Sequence, residues 1–347
     1  MKVLINTPSL KFCGGVANHF MGLKSYWGEN VIYNTVGKRH LNSPIETMLI
    51  APFDVLKFVF RLITFRPDFV MVNPSLAPRA IKRDCFYLRV ARFFGIKTSV
   101  MFHGFHEESV ADIKSVIVET MNKTSVIFVL AEAFKKTLRE WGVTTPIEMT
   151  TTKVDDNLLN DFSINTRIGE VKNIVYIARV TKEKGIFITL DVFALLSKRH
   201  PELRYTVVGT GNDWEEAKRY ASEHNIPNIT FTGLCTGNEL ITQFKEADLY
   251  LFTSYHEGMP TSVLEAMAFG LPIVTRPVGG LVDFFDEHMG SMVDSYEAED
   301  FIPAISRMIE DKEYTKEISN YNYQYAKNRF YASQVANEML ETIKKHI

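Results

Sequence analysis

Two carboxylates, Glu257 and Glu265, stand eight residues apart in TSYHEGMPTSVLEAMAFGLPIVTRPVGGLVD, residues 253–283. The run DLYLFTS before them is apolar, β-branched and aromatic, which predicts a strand that delivers Glu257 into a loop. Pro260 stands where a first helical residue would, and Val263, Leu264, Met267 and Ala268 suit a buried helix over 261–269 that Gly270-Leu271-Pro272 stops. Glu265 then lies one turn inside. A helix start offers unpaired N–H groups and a partial positive charge, so a phosphate is the natural guest there. Carboxylates on either side of it suit hydroxyl groups, the pattern that a sugar nucleotide presents. The plainer reading is an acid balancing the helix dipole beside a surface Glu.

A second segment, Ala178-Arg179-Val180-Thr181-Lys182-Glu183-Lys184-Gly185, places Arg179 at a strand end and Lys184 before a helix. Read alone it is also compatible with a solvated charged turn. Read with the downstream pair, its two cations can converge on a leaving diphosphate, which gains negative charge as its ester bond breaks. Gly14-Gly15 follows the first apolar run and opens a helical stretch, where backbone could approach a phosphate or simply reverse direction. Gly209-Thr210-Gly211 lacks the third glycine and the acid of a dinucleotide fingerprint and reads as a tight turn.

The Glu, seven residues, Glu pattern followed by Ala266-Met267-Ala268, Gly270-x-Pro272 and Gly279-Gly280 resembles the donor-site signature of the retaining GT-B glycosyltransferases of sequence family four, the glycosyl transferases group 1. The 178–185 segment is similar to that family's Gly-Arg-…-Lys-Gly stretch, with Ala178 where Gly is frequent. The resemblance implies an α/β fold of two doubly wound, Rossmann-like parallel-sheet domains facing a cleft. It implies retaining, metal-independent transfer of a sugar from a nucleoside diphosphate sugar, a UDP-sugar by preference, to a hydroxyl of a glycan or lipid-linked acceptor. In that scheme Glu257 binds the donor sugar, Glu265 the ribose, Arg179 and Lys184 the diphosphate, and the amides in the stretch Gly258-Met259-Pro260-Thr261 the phosphate or the sugar. Gly233-Leu234 falls where the base is read through backbone groups, and His103 near the transferred sugar, with a packing or capping role as its alternative. His106, three residues on, reads mainly as a packing or capping histidine, and Glu107 and Glu108, which the helix dipole favours regardless of function, are weak candidates for acceptor contact. Cofactor and metal are expected to be absent, since no His, Asp and Glu cluster has ligand spacing.

These residues must be carried by an alternating chain. Short apolar runs at 2–6, 31–35, 68–72, 98–102 and 126–130 alternate with helical stretches, and a second series repeats the pattern at 173–178, 204–208, 228–232, 248–253 and 272–275. That alternation predicts parallel sheets covered on both faces. The expected division is an acceptor-side domain over 1–160, a donor domain over 161–330, and a terminal helix over 331–347 crossing back. With 347 residues, 46% apolar, there is material for two cores. A net charge of −2 argues against nucleic acid as a partner. Three scattered cysteines form no disulfide framework, MKVLINTPSL reads as a strand rather than a leader, and no run nears ~18 uncharged apolar residues. A cytoplasmic protein is expected, peripheral on the inner face of the membrane if its acceptor is lipid-borne.

The membrane expectation rests on residues 41–100, with nine Lys or Arg against four Asp or Glu. There Ser43-Pro44-Ile45-Glu46 has the form of a capping box, and MLIAPFDVLKFVFRLITFR reads as a helix, apolar nearly all round, with Pro52 kinking or starting it. Asp54, Lys57, Arg61 and Thr64 form its narrow polar stripe. Basic residues continue through Arg66, Arg79, Lys82, Arg83, Arg89 and Arg92, a composition that fits either an anionic membrane surface or ordinary core helices with solvated faces. Three other functions remain open. A hydrolase would hold its carboxylates ~5 Å apart across one bond and release sugar at full rate without acceptor. An epimerase would convert the nucleotide sugar alone, and a non-catalytic binding protein would show no acceptor-dependent turnover.

Overall fold

A computed structural model describes residues 1–11, 14–36, 44–74, 78–104 and 107–346. The capping-box reading at Ser43 and the reading of His106 lie outside these residues. The chain divides into two units, Met1–Lys153 with Ala332–Ile347, and Val154–Tyr331.

In unit 1 the order is β1 (Val3–Thr7), α1 (Gly15–Trp27), β2 (Val31–Thr35), α2 (Pro44–Phe65), β3 (Phe69–Val72) and α3 (Pro78–Phe93). It continues with β4 (Lys97–Phe102), α4 (Lys114–Met121), β5 (Val126–Val129), α5 (Glu132–Glu140) and β6 (Ile147–Met149). All pairings are parallel, in the order β2-β1-β3-β4-β5-β6, with Val3 facing Val31 on one side and Phe69 on the other. Strands such as FVMV and VIFV are buried along their whole length because helices cover both faces, so they are apolar without alternation.

Unit 2 runs β7 (Asn173–Ile177), α6 (Ile186–Arg199), β8 (Arg204–Val208), α7 (Trp214–Glu223), β9 (Ile229–Gly233), α8 (Asn238–Glu246), β10 (Leu249–Phe252) and α9 (Thr261–Ala268). Then follow β11 (Ile273–Thr275), β12 (Gly290–Met292), α10 (Ile302–Glu310) and α11 (Lys312–Arg329), before α12 (Ala332–Lys345) rejoins unit 1. This sheet is parallel in the order β12-β11-β10-β7-β8-β9. Packing of α12 on α1 is fixed by the buried Trp27 indole, which donates to the Ala336 carbonyl at 2.8 Å.

The segment entering unit 2 is held by one buried cation. Arg167 donates to the carbonyls of Phe244 (2.7 Å) and Ala247 at the end of α8 and of Phe269 (2.9 Å) at the end of α9, and it lies over the Phe162 ring. Orphan carbonyls at helix C-termini are the natural partners of a guanidinium. Burial still lowers its pKa to about 10.

Of the two readings of Pro52, starting a helix is corrected, since Pro52 lies inside a helix that already runs from Pro44. The polar stripe divides between environments: Asp54 is buried and Arg61 half-buried, donating to the Tyr33 carbonyl, while Lys57 and Thr64 are exposed, and so are the apolar Phe53, Leu56, Phe60 and Ile63. Asp54 lies near enough to Arg83 to favour its charge, which offsets the cost of burying the carboxylate.

Candidate functional site

In an open parallel sheet, loops leaving two neighbouring strands in opposite directions open a crevice at their carboxyl ends. Sheet order puts that switch point between β7 and β10 in unit 2, and between β1 and β3 in unit 1. Arg179 and Lys184 follow β7 directly, and Glu257 follows β10. Sequence neighbours of two different strands are thereby brought to one place.

The contact is direct. Lys184 Nζ lies 2.5 Å from Glu257 Oε1, across 73 residues of sequence, with side-chain exposures of 17% and 13%. A short 3-10 turn, Lys182–Lys184, presents the lysine, and Gly185 in the left-handed region (φ 77°) reverses the chain into α6. A Cβ at Gly185 would meet the Thr253 carbonyl and hydroxyl at 2.2 Å, so the turn seats directly on the end of β10. The seat is completed by Thr253 Oγ1 donating to the Gly185 carbonyl (2.8 Å) and by the Tyr255 amide donating to Glu183 (2.9 Å). On the other flank Gly279, also left-handed (φ 53°), lies where a Cβ would come within 2.3 Å of the Gly258 carbonyl, and the Gly280 amide donates to that carbonyl at 2.8 Å.

Two buried tyrosines form the floor. Tyr176 on β7 donates to the Arg179 carbonyl (2.8 Å), and Tyr250 on β10 donates to the Ile177 carbonyl (2.8 Å) while lying 2.7 Å from Ser262 Oγ in the first turn of α9. Each hydroxyl thus ties a loop or helix start to the sheet. Burial holds both phenols well above their ordinary pKa; Glu257 raises both further, Glu265 raises Tyr250, and Arg179 pulls Tyr176 down. Those influences place Glu257, Glu265 and Arg179 around the same two hydroxyls. Arg179 is exposed, and Glu265 is half-buried in the second turn of α9. Pro260 is the residue before that helix, in extended conformation, not its first member; Gly258, Met259 and Thr261 surround it, half-buried.

Gly233 ends β9 with φ 81° and receives the Gly209 amide at 2.8 Å; Leu234 beside it is exposed. Gly211 lies where a Cβ would meet the Val180 carbonyl at 2.2 Å, which accounts for the 209–211 turn by close backbone approach.

In unit 1 the switch point gathers a different set. His103, at the end of β4, is hydrogen-bonded through Nε2 to Asn73 Oδ1 (3.3 Å), and Asn73 donates to the Asn6 carbonyl (3.0 Å). Burial lowers the His103 pKa to about 4, so the ring is neutral at pH 7. His19, on α1, packs edge-on to it with centroids 5.2 Å apart, and neither of its ring nitrogens has a hydrogen-bond partner among the described residues. Burial, with the charges of His103 and Lys153, holds His19 well below its usual pKa. Lys153 is itself buried and crosses α1 at Gly22. Gly14 caps α1 with extended backbone (φ −179°), so chain reversal does not require glycine there, and the space around a Cβ at Gly15 is open. Glu107 accepts from the Trp141 indole (3.0 Å) and lies in a 3-10 turn, Glu107–Ile113, that also holds Glu108.

Several of these residues were not singled out in the sequence. Asn73, in Val72-Asn73-Pro74 after a strand, was findable as a polar residue at a strand's carboxyl end. His19, five residues after the Gly14-Gly15 pair, had positional signal only. Tyr176, Tyr250 and Lys153 had none, because their roles come from tertiary contact. Among the described residues no three His, Cys, Asp or Glu side chains are grouped to hold a metal ion.

The glycosyl transferases group 1 family matches residues 160–325. The D-inositol 3-phosphate glycosyltransferase of Corynebacterium aurimucosum is 28% identical over 148 residues, 40% of this chain and 35% of that protein. The poly(glycerol-phosphate) alpha-glucosyltransferase of Bacillus subtilis is 27% identical over 154 residues, 44% of this chain and 23% of that protein. The chain spans less than half the length of the curated relatives it matches. Among solved structures, Anabaena HepE in complex with UDP superposes with a TM-score of 0.80 at 17% identity, covering 99% of this chain and all of that one. That likeness shows the fold, two six-stranded parallel sheets with helices as in the GT-B glycosyltransferases. The match to the glycosyl transferases group 1 family over residues 160–325 falls on unit 2, the unit that carries Arg179, Lys184, Glu257 and Glu265.

Proposed function

We propose that this chain transfers a sugar from a nucleoside diphosphate sugar to a hydroxyl of a glycan or lipid-linked acceptor, with retention and without a metal ion. The observation that carries the reading is the Lys184–Glu257 pair at the β7/β10 switch point. A cation anchored by a carboxylate is held in place for an arriving anion, and the chain around it is fixed by Gly185, Gly279 and the two tyrosines. Lys184 and Arg179 take the diphosphate as it departs, the amides of Gly258, Met259 and Thr261 add dipoles at the start of α9, Glu257 binds the donor sugar, and Glu265 the ribose. Gly233 and Leu234 flank the base. Gly14 and Gly15 approach a phosphate, the space around a Cβ at Gly15 being open, and His103, neutral, exchanges a hydrogen bond with the sugar. Among the described residues none stands out near the β7/β10 point as a nucleophile for a double displacement, which favours same-face substitution assisted by the leaving phosphate. Glu257 spends Oε1 on Lys184, an arrangement unlike that of a hydrolase proton donor.

UDP is the nucleotide bound to HepE, and UDP-sugars are our choice of donor. The relatives' names point to inositol phosphate and poly(glycerol phosphate) acceptors, and we read the acceptor here as a glycan or lipid-linked sugar met by a cytoplasmic protein at an anionic membrane surface. No described helix is long and apolar enough to cross a membrane. The test is UDP release from a panel of UDP-sugars with and without membrane-extracted acceptor, in EDTA. Acceptor-dependent release is the expected result; release at equal rate without acceptor supports a hydrolase, and conversion of the sugar without release an epimerase.

A further inference from the structure

Two helices of unit 1 turn apolar side chains outward. On α2, Phe53, Leu56, Phe60 and Ile63 recur at i, i+3, i+7 and i+10, one stripe of a helix, and are 55–69% exposed. Phe58 and Leu62, on the opposite face, are buried against unit 1, Phe58 edge-on to Tyr87 of α3 with centroids 4.9 Å apart. The helix is therefore apolar on both faces, and among the described residues only one of them has a protein partner. Lys57 and Thr64 border the exposed stripe.

On α3 the exposed side chains Arg79, Lys82, Phe86, Arg89 and Phe93 recur at i, i+3, i+7, i+10 and i+14, alternating cations with rings, and Phe93 is 88% exposed. A groove lined by Leu62, Ile63, Arg66, Phe94 and Ile96 joins the C-terminal ends of the two helices, so the stripes meet there. Charge on this surface is one-sided. Between residues 50 and 97, among those described, Lys57, Arg66, Arg79, Lys82, Arg89 and Lys97 are exposed, whereas Asp54 and Asp84 are buried, leaving Asp68 as the exposed acid. Asp68 already accepts the Lys2 amide at 2.7 Å.

We propose that this face docks on an anionic bilayer, with α2 lying in the interface plane, Phe53, Leu56, Phe60 and Ile63 at the acyl boundary and Lys57, Arg66, Arg79, Lys82 and Arg89 on lipid phosphates. Interleaved rings and cations along two adjacent helices match the depth order of a bilayer surface, apolar below and anionic above. A protein partner would instead have to be acidic and apolar over the same stretch. The proposal takes its purpose from the membrane-borne acceptor suggested above, but its physical basis is α2 and α3 alone, so vesicle binding and sugar transfer fail independently.

The experiment is co-sedimentation of the full chain with vesicles of phosphatidylcholine, alone or mixed with phosphatidylglycerol, at low and high salt. Two variants accompany it, Phe53→Ser/Leu56→Ser/Phe60→Ser and Lys82→Gln/Arg89→Gln, all at exposed positions, with folding checked by thermal unfolding. The wild type should bind the mixed vesicles, release them as salt rises and ignore the neutral ones. The charge variant should bind roughly thirtyfold more weakly, as two lost phosphate contacts imply, and the apolar variant should lose binding. Equal binding of wild type and either variant, or no binding to the mixed vesicles at low salt, overturns the proposal. So does a concentration-dependent dimer that the apolar variant dissolves, which would make this face a contact between copies.

Discussion

Replacing Lys184 by Met removes the cation of the β7/β10 pair while keeping most of its apolar stem. Two effects follow and can be separated. The first is the lost stabilisation of the departing diphosphate; removing one electrostatic partner of a developing charge typically costs ~2.7 to 4 kcal/mol, a hundredfold to thousandfold in kcat. The second is that Glu257, which has Lys184 Nζ at 2.5 Å and is only 13% exposed, loses its counterion. A carboxylate ~4 Å from a phosphate repels it by up to roughly 4 kcal/mol at an effective dielectric of about 20, less here because water reaches both groups. The single variant should therefore weaken UDP as well as slow turnover. Adding Glu257→Gln removes the repulsion, so the double variant should bind UDP better than Lys184→Met does, by about 0.5 to 3 kcal/mol of coupling, while turnover stays low. Calorimetry with UDP and a coupled UDP-release assay at saturating donor give the two numbers, and thermal unfolding reports whether the fold survives. Turnover of Lys184→Met within threefold of wild type, or no coupling between the two positions in UDP affinity, would refute the reasoning.

Three further outcomes are expected. Glu265→Ala should weaken UDP tenfold to a hundredfold, since a hydrogen bond to a charged group is worth roughly 1.5 to 3 kcal/mol; an unchanged dissociation constant in a folded variant removes Glu265 from the site. Gly279→Ala must adopt a positive φ and drive a Cβ to 2.3 Å from the Gly258 carbonyl, so it should cost about 1 to 3 kcal/mol of stability and lower turnover by displacing the Glu257 loop; wild-type stability and rate would show that the loop is not clamped. With His103 held near 4 against about 6.5 in the unfolded chain, the unfolded state takes up the extra proton first as pH falls, so stability present above pH 6.5 is lost on going down through 4. The full effect is at most about 3 kcal/mol, His19 acts in the same direction, and chemical unfolding at pH 7.5 and 4.5 should show a shallower loss for His103→Asn than for wild type.

The two-series alternation was legible because strands buried on both faces are continuous apolar runs, and ten such runs lie within a residue of the strands observed. The two that periodicity missed, β6 and β12, are three-residue edge strands whose text, IEM and GSM, carries no pattern. On α2 the spacing left open which face meets the protein. Spacing shows that Asp54, Phe58 and Leu62 share one side and Phe53, Leu56 and Phe60 another, but which side meets the sheet is decided by contacts with Tyr87 and Arg83 that lie elsewhere in the chain. In the candidate site, the motif residues could be chosen from type and spacing, whereas the bond between Lys184 and Glu257 depends on which strands are neighbours at the switch point. The tyrosine floor was invisible for the same reason: Tyr176 and Tyr250 read as ordinary strand residues until their hydroxyls find the 177–179 carbonyls and Ser262.

The central claim, that the residues after β7 and β10 hold the diphosphate of a nucleotide sugar, is met most directly by titrating UDP, GDP and ADP into the full chain in EDTA by calorimetry. One nucleoside diphosphate, UDP by our reading, should bind at one site per chain with its affinity unchanged when magnesium replaces EDTA, and Lys184→Met should weaken it. Binding that appears only with a divalent ion, or no binding of any of the three, would contradict the account.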